Sequence, residues 1–194
     1  PYGNAIPWEQ ATAADLAQRL GDPRFAVRER SILALSKRGD DAIVELTQVL
    51  QSRAATPQQR QNAVWALCRM EGPAARKAGR VALSDSAEEV RQSAAHAAAL
   101  HRDNGAIDQL QQLLRDNSLA VRREAAHALG RLGRGEAVPK LLAAIGALSQ
   151  GTAAASDRFV EHALIFALIS INDAVATRPG LTASGFAERR AALM

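Results

Sequence analysis

Val121-Arg122-Arg123-Glu124-Ala125-Ala126-His127-Ala128-Leu129, running on into Gly130-Arg131-Leu132-Gly133, is the stretch whose reading decides the fold. Val121, Ala125, Ala128, Leu129 and Leu132 fall at i, i+4, i+7, i+8 and i+11, one face of an α-helix. Arg123, Glu124, His127, Arg131 and Arg134 fall on the opposite side. A helix with one apolar stripe needs a neighbour to bury it against, and the rest of the chain supplies copies of the same phrase.

Four other segments align with this one: Val27 to Leu35 (VRERSILAL), Gln59 to Leu67 (QRQNAVWAL), Val90 to Ala98 (VRQSAAHAA) and Val160 to Leu168 (VEHALIFAL). Their shared alanine falls at Ala34, Ala66, Ala97, Ala128 and Ala167, at spacings of 32, 31, 31 and 39 residues. An amphipathic stretch precedes each copy: Ala13–Leu20, Asp41–Leu50, Ala74–Leu83, Ala106–Leu114 and Ala137–Leu148. Gly, Pro, Asp and Asn gather in the breaks, as at Gly21-Asp22-Pro23, Gly72-Pro73 and Asp116-Asn117-Ser118. Each unit therefore reads as a first helix, a tight turn and a second helix. Units of this size gain a core only by stacking on one another. The expectation is an all-α fold, an α–α superhelix of about five helix pairs plus a truncated sixth. The units span approximately residues 9–38, 40–71, 73–102, 104–133, 135–171 and, in part, 173–194, within one solenoid domain 1–194.

Three further expectations concern the breaks. Gly146 to Ser156 (GALSQGTAAAS) reads as a slack connector of small polar residues. Asp173–Thr177 reads as a new first helix ended by Pro179-Gly180, and Phe186 to Met194 as a second helix that stops mid-pattern. With the absence of an initial Met, this suggests a piece cut from a longer array. Finally, an Asp precedes an Arg by six residues at Asp22 and Arg28, at Asp85 and Arg91, and at Asp116 and Arg122.

Composition agrees with helix packing and narrows the chemistry. Apolar residues make up 47% of the 194, yet aromatics only 4%, so Ala and Leu carry the core, as helices prefer and strands do not. Net charge is +4 from 24 basic and 20 acidic residues, with no long basic run, which disfavours nucleic acid as partner. A single cysteine, Cys68, excludes an intrachain disulfide and a CxxC zinc pair. No apolar run is long enough to cross a membrane. There is no GxSxG elbow and no phosphate-binding glycine loop.

The phrases VRREAAHALGRLG and VRQSAAHAAALHRD resemble HEAT repeats of the kind found in phycobilin lyases. GDPRFAVRERSILALSKRG, RQNAVWALCRM, DRFVEHALIFALISI and RRAAL together resemble the HEAT region of large bacterial multidomain proteins. In those, the array lies between a propeller-like domain classed as a membrane-bound dehydrogenase and a haem-binding cytochrome c domain with a CxxCH site. The resemblance covers about residues 12 to 194 and implies a HEAT-type solenoid, a spacer or docking role and an extracytoplasmic or periplasmic address. It carries no haem ligand or dehydrogenase residue onto this chain, so no cofactor is expected. It also implies that each Asp and Arg of the pairs above belongs to a ladder in which the Arg reaches a carboxylate of its own or the adjacent unit.

In HEAT solenoids the second helices line the concave surface. The matching column of this chain is Leu33, Trp65, His96, His127 and Phe166. Beside it run Glu29, Gln61, Gln92, Arg123 and His162, then Lys37, Arg69 and Arg131. This is the candidate binding face, with Arg69 placed at i+4 to stack on Trp65. The equivalent histidines His96 and His127 lack an accompanying His-Glu pair of the kind that HEAT hydroxylases use, so no metal site and no catalytic residue is expected. The expected function is a non-catalytic interaction or spacer scaffold with a protein partner. A nucleic-acid-binding HEAT-like protein is the alternative, and a HEAT-type lyase or hydroxylase comes behind it.

Overall fold

The computed structural model describes residues 3, 6–150 and 158–194, and every element among them is helical. Two compact units divide the chain, Pro1–Ala97 and Ala98–Met194.

In the first unit, α1 (Ala13–Gln18) starts at a Thr12–Asp15 capping box and tightens into a 3-10 turn at Arg19–Gly21. It is followed by α2 (Phe25–Leu35), α3 (Asp40–Gln51), α4 (Pro57–Cys68), α5 (Pro73–Arg80) with a 3-10 turn at Val81–Ser84, and most of α6 (Glu88–Leu100). Pro57 and Pro73 each sit in a first helical turn, where the missing N–H is no loss. Leu16, Leu20, Ile32, Leu35, Leu46, Leu67 and Leu83 are fully buried and form the core. Trp8 covers its outer edge, with its indole N–H on the Gly3 carbonyl (3.0 Å) and Arg30 over its ring at 4.5 Å.

In the second unit, a 3-10 turn (Asn104–Ala106) leads into α7 (Ile107–Leu113), then α8 (Leu119–Leu132). A second 3-10 turn (Gly135–Ala137) leads into α9 (Val138–Gln150), followed by α10 (Arg158–Ile171), α11 (Ala174–Thr177) and α12 (Phe186–Ala192). Leu110, Leu129, Leu141, Ile145 and Leu164 fill the core. The αL conformation that ends α8 falls at Gly133, as expected of a glycine. Arg102 and Asn172 adopt positive φ just past α6 and α10.

Two expectations about breaks are corrected. Gly146 does not start a loop: α9 runs through it to Gln150. It is buried, and a Cβ there would lie 2.5 Å from the Glu188 carboxylate, so this glycine makes room for α12. The remainder of the connector, residues 151–156, lies outside the described residues. Nor does Pro179-Gly180 end its helix. Both residues sit inside a 3-10 turn (Arg178–Thr182) that continues α11, and a Cβ on Gly180 would meet Leu142 and Ala192 at under 3 Å. Proline is tolerated in a first turn, and glycine is needed for close packing, so two residues that read as punctuation are packing devices.

Candidate binding face and the turns beneath it

In the turns before the second helices, the Arg of each pair bonds backbone carbonyls. Arg28 donates to the backbone carbonyls of Asp22 (2.8 Å) and Pro23 (3.0 Å), and Arg91 to those of Asp85 (2.8 Å) and Ser86 (2.9 Å). Arg122 donates to the Asp116 carbonyl. The Asp carboxylates accept backbone N–H groups two residues on, at Arg24 (2.9 Å), Ala87 (2.8 Å) and Ser118 (2.8 Å). This is an Asx turn, closed from the second helix by an arginine that satisfies carbonyls the ended first helix leaves without partners.

Two members of this set were not apparent in the Asp-based reading. Arg189 donates to Ala183 and Ser184, both at 2.7 Å, and Arg60 donates to Ala55. Neither follows an Asp by six residues. The signal that finds them is the arginine in the second helix's first turns, because the carbonyl it binds exists whatever the side chain.

A carboxylate pairing between neighbouring helix pairs of the first unit runs through Arg60. Its Nε and Nη2 reach the two Asp85 oxygens at 2.6 and 2.9 Å, a bidentate bridge from α4 to the turn before α6. Both side chains are nearly excluded from solvent. Burial raises the Asp85 pKa, but the Arg60 guanidinium and the Ala87 N–H outweigh it and leave it below the ordinary value. Asp22, half-buried, is held down at about 2 by the Arg24 guanidinium and N–H.

On the second helices of the first unit, Leu33, Lys37 and Arg69 are exposed, and Glu29, Gln61, Trp65, Gln92 and His96 are half-buried. Gln61 donates to the Ser93 hydroxyl at 2.9 Å, tying α4 to α6. Trp65 meets His96 edge to face, with centroids 5.9 Å apart at 66°. The expected Arg69–Trp65 stacking is replaced: Arg69 donates to the Trp65 backbone carbonyl at 3.1 Å. At i+4 a long side chain on a helix reaches the carbonyl as readily as the ring, and His96 already sits against the ring.

On the second unit, Arg123, Arg131, His162 and Phe166 are exposed and His127 is half-buried. His162 and Phe166 stack with planes 7° apart and centroids at 6.5 Å. His127 Nδ1 lies 3.6 Å from Glu124 Oε1, and Arg131 Nε donates to the Ala99 carbonyl at 3.1 Å. Among the described residues no three His, Cys, Asp or Glu side chains cluster in a way that could hold a metal ion, and no helix is long and apolar enough to cross a membrane. Burial raises the pKa of the half-buried Cys68 thiol.

This architecture is shared with solved structures. The complex of CpcE and CpcF of phycocyanin lyase from Nostoc superposes with a TM-score of 0.58 at 20% identity, over 95% of this chain and 75% of that one. Human deoxyhypusine hydroxylase, in complex with glycerol, gives 0.54 at 23% identity, over 82% and 62%. A designed armadillo repeat protein in complex with the peptide (KR)4 gives 0.51 at 18%, over 94% and 97%. At these identities the likeness is one of fold. No curated protein matches by sequence. The family model for HEAT repeats matches residues 43–117 and 80–169, overlapping spans that together cover most of the chain. With that match, the all-helical fold and the solenoid neighbours in agreement, the chain belongs to the HEAT-repeat family.

Proposed function

We propose that this chain is a non-catalytic protein-interaction or spacer scaffold within a larger multidomain protein, built on the helix-pair units laid out from the sequence. The observation that carries the reading is the character of the second helices. They present rings and cations side by side, Trp65 with His96 and Arg69, and His162 with Phe166, half-open to solvent on rigid elements. Aromatic residues and arginine are the types enriched where proteins meet. Helices order these side chains before binding, so little conformational entropy remains to be lost. The parent protein we infer is of the dehydrogenase–cytochrome c type, which the chain's phrases resemble, with this region as the spacer between its domains.

Photo-crosslinking in the native host tests the role. A photoreactive residue at position 65 or 166 is expected to trap protein, whereas one at the exposed Gln48 of α3 traps none specifically. Crosslinks to nucleic acid, or none above the Gln48 control at both sites, defeat the reading. The parental reading frame tests the spacer assignment, which requires a CxxCH motif downstream.

A further inference from the structure

Two rows of side chains lie side by side in the second unit. Arg123, His127 and Arg131 recur every four residues along α8, within about 80° of arc. Arg134 follows just beyond the left-handed Gly133. On α10, Phe159 (70% exposed) and Phe166 (51% exposed) lie seven residues apart, two helical turns, with His162 between them.

The two helices are parallel and in register. A Cβ on Gly130 would sit 2.9 Å from the Ala167 Cα, and one on Gly135, just past α8, 2.1 Å from an Asp173 carboxylate oxygen just past α10. The repeat alignment, which pairs Ala128 with Ala167, sets Arg123 opposite His162 and His127 opposite Phe166. The basic row thus flanks the aromatic row along its length.

The arginines of this row are not matched by carboxylates. Among the described residues, Arg123, Arg131 and Arg134 form no ion pair. Nearby acids are engaged elsewhere: Glu124 lies against His127, and Glu161 is bridged to Arg190. Guanidinium groups next to partly desolvated rings favour a ligand that brings carboxylates and apolar groups in alternation. A nucleic-acid strand fits less well. The His162 ring already lies parallel to that of Phe166, with centroids 6.5 Å apart, which leaves less ring face for successive bases to stack on.

Building on the scaffold reading above, we propose that the α8–α10 face binds an acidic linear peptide with interspersed apolar residues. Arg123, Arg131 and Arg134 take its carboxylates, and the Phe159–Phe166 row takes its apolar side chains.

The test is fluorescence anisotropy on the whole chain with four labelled probes: an extended peptide alternating Glu with Leu or Phe, its Gln and Lys counterparts, and an oligo-dT strand. The acidic peptide is expected to bind at least about tenfold tighter than the Gln peptide and to weaken with salt. Arg123→Glu with Arg134→Glu should weaken it by about tenfold or more, and Phe166→Ala several-fold, with thermal melts unchanged. Arg131 is left in place because it also bonds the Ala99 carbonyl. Equal or tighter binding of the Gln or Lys peptide, still sensitive to Phe166→Ala, overturns the acidic assignment while leaving an interaction face. Tighter binding of oligo-dT overturns both this inference and the protein-scaffold reading. No binding of any probe at low salt overturns the inference alone, since the crosslinking experiment judges the scaffold separately.

Discussion

The two units hold adjacent second helices together by different means. Between α4 and α6 in the first unit, the join is polar: the Arg60–Asp85 bridge and the Gln61–Ser93 bond. Asn62 of α4 reaches in the other direction, to the Leu20 carbonyl at 2.7 Å. Between α8 and α10 in the second unit, the join is steric. Gly130 brings one backbone against Ala167, and Ala128 and Ala167 are fully buried. The repeat thus specifies a helix spacing, which paired polar groups or small residues can each meet. The difference matters because the two joins fail differently. A polar join breaks when one partner is lost, and a steric join breaks when anything is added.

The largest effect is expected at the polar join. Asp85→Ala strands the buried Arg60 guanidinium and should destabilise the protein by about 3–5 kcal/mol in a denaturant titration. The double variant Arg60→Met with Asp85→Leu should recover most of that loss, since the bridge then leaves no unpaired charge. If the double variant is as unstable as the single one, the bridge has a role that apolar packing cannot replace.

Next comes the steric join. Gly130→Leu should cost about 3 kcal/mol, because the nearest obstacle is Ala167 backbone and not a movable side-chain tip. A neutral result would mean that α8 and α10 are not held at close approach. Asn62→Ala should cost about 2 kcal/mol by leaving the Leu20 carbonyl without its donor.

Acid separates the joins without mutation. Both Asp22 and Asp85 have folded pKa values below the ordinary carboxylate value. Their contributions are therefore complete above about pH 4 and lost as pH falls through the folded values, near 2 for Asp22. Stability should decline below pH 4, and Asp85→Asn should make that decline shallower, while Gly130→Leu leaves its slope unchanged. The smallest effect is expected at Arg189→Met, which removes a cap from two carbonyls near the surface. About 1 kcal/mol or less is expected, read as a small shift in melting temperature.

Much of the fold was legible in the order of residues. The recurring phrase with its shared alanine marks five second helices because a 3.6-residue period is a property of the chain itself. The binding-face residues were legible as a column for the same reason. Their pairings were not. Trp65 meets His96 from the next helix, not Arg69 from its own, and Arg60 finds Asp85 25 residues away. Trp8, which covers the edge of the first unit, carries no repeat signal at all.

Composition and period thus determined that the chain is helical, how its units repeat and which side of each helix is apolar, since these follow from local spacing and propensity. Only the tertiary structure decided that arginines close the turns through carbonyls, and that Gly146 and Gly180 admit neighbours where they read as breaks. Those choices depend on which atoms arrive from distant parts of the chain. A backbone carbonyl offers the same acceptor beneath any side chain, and the space a glycine leaves has meaning only once another helix occupies it.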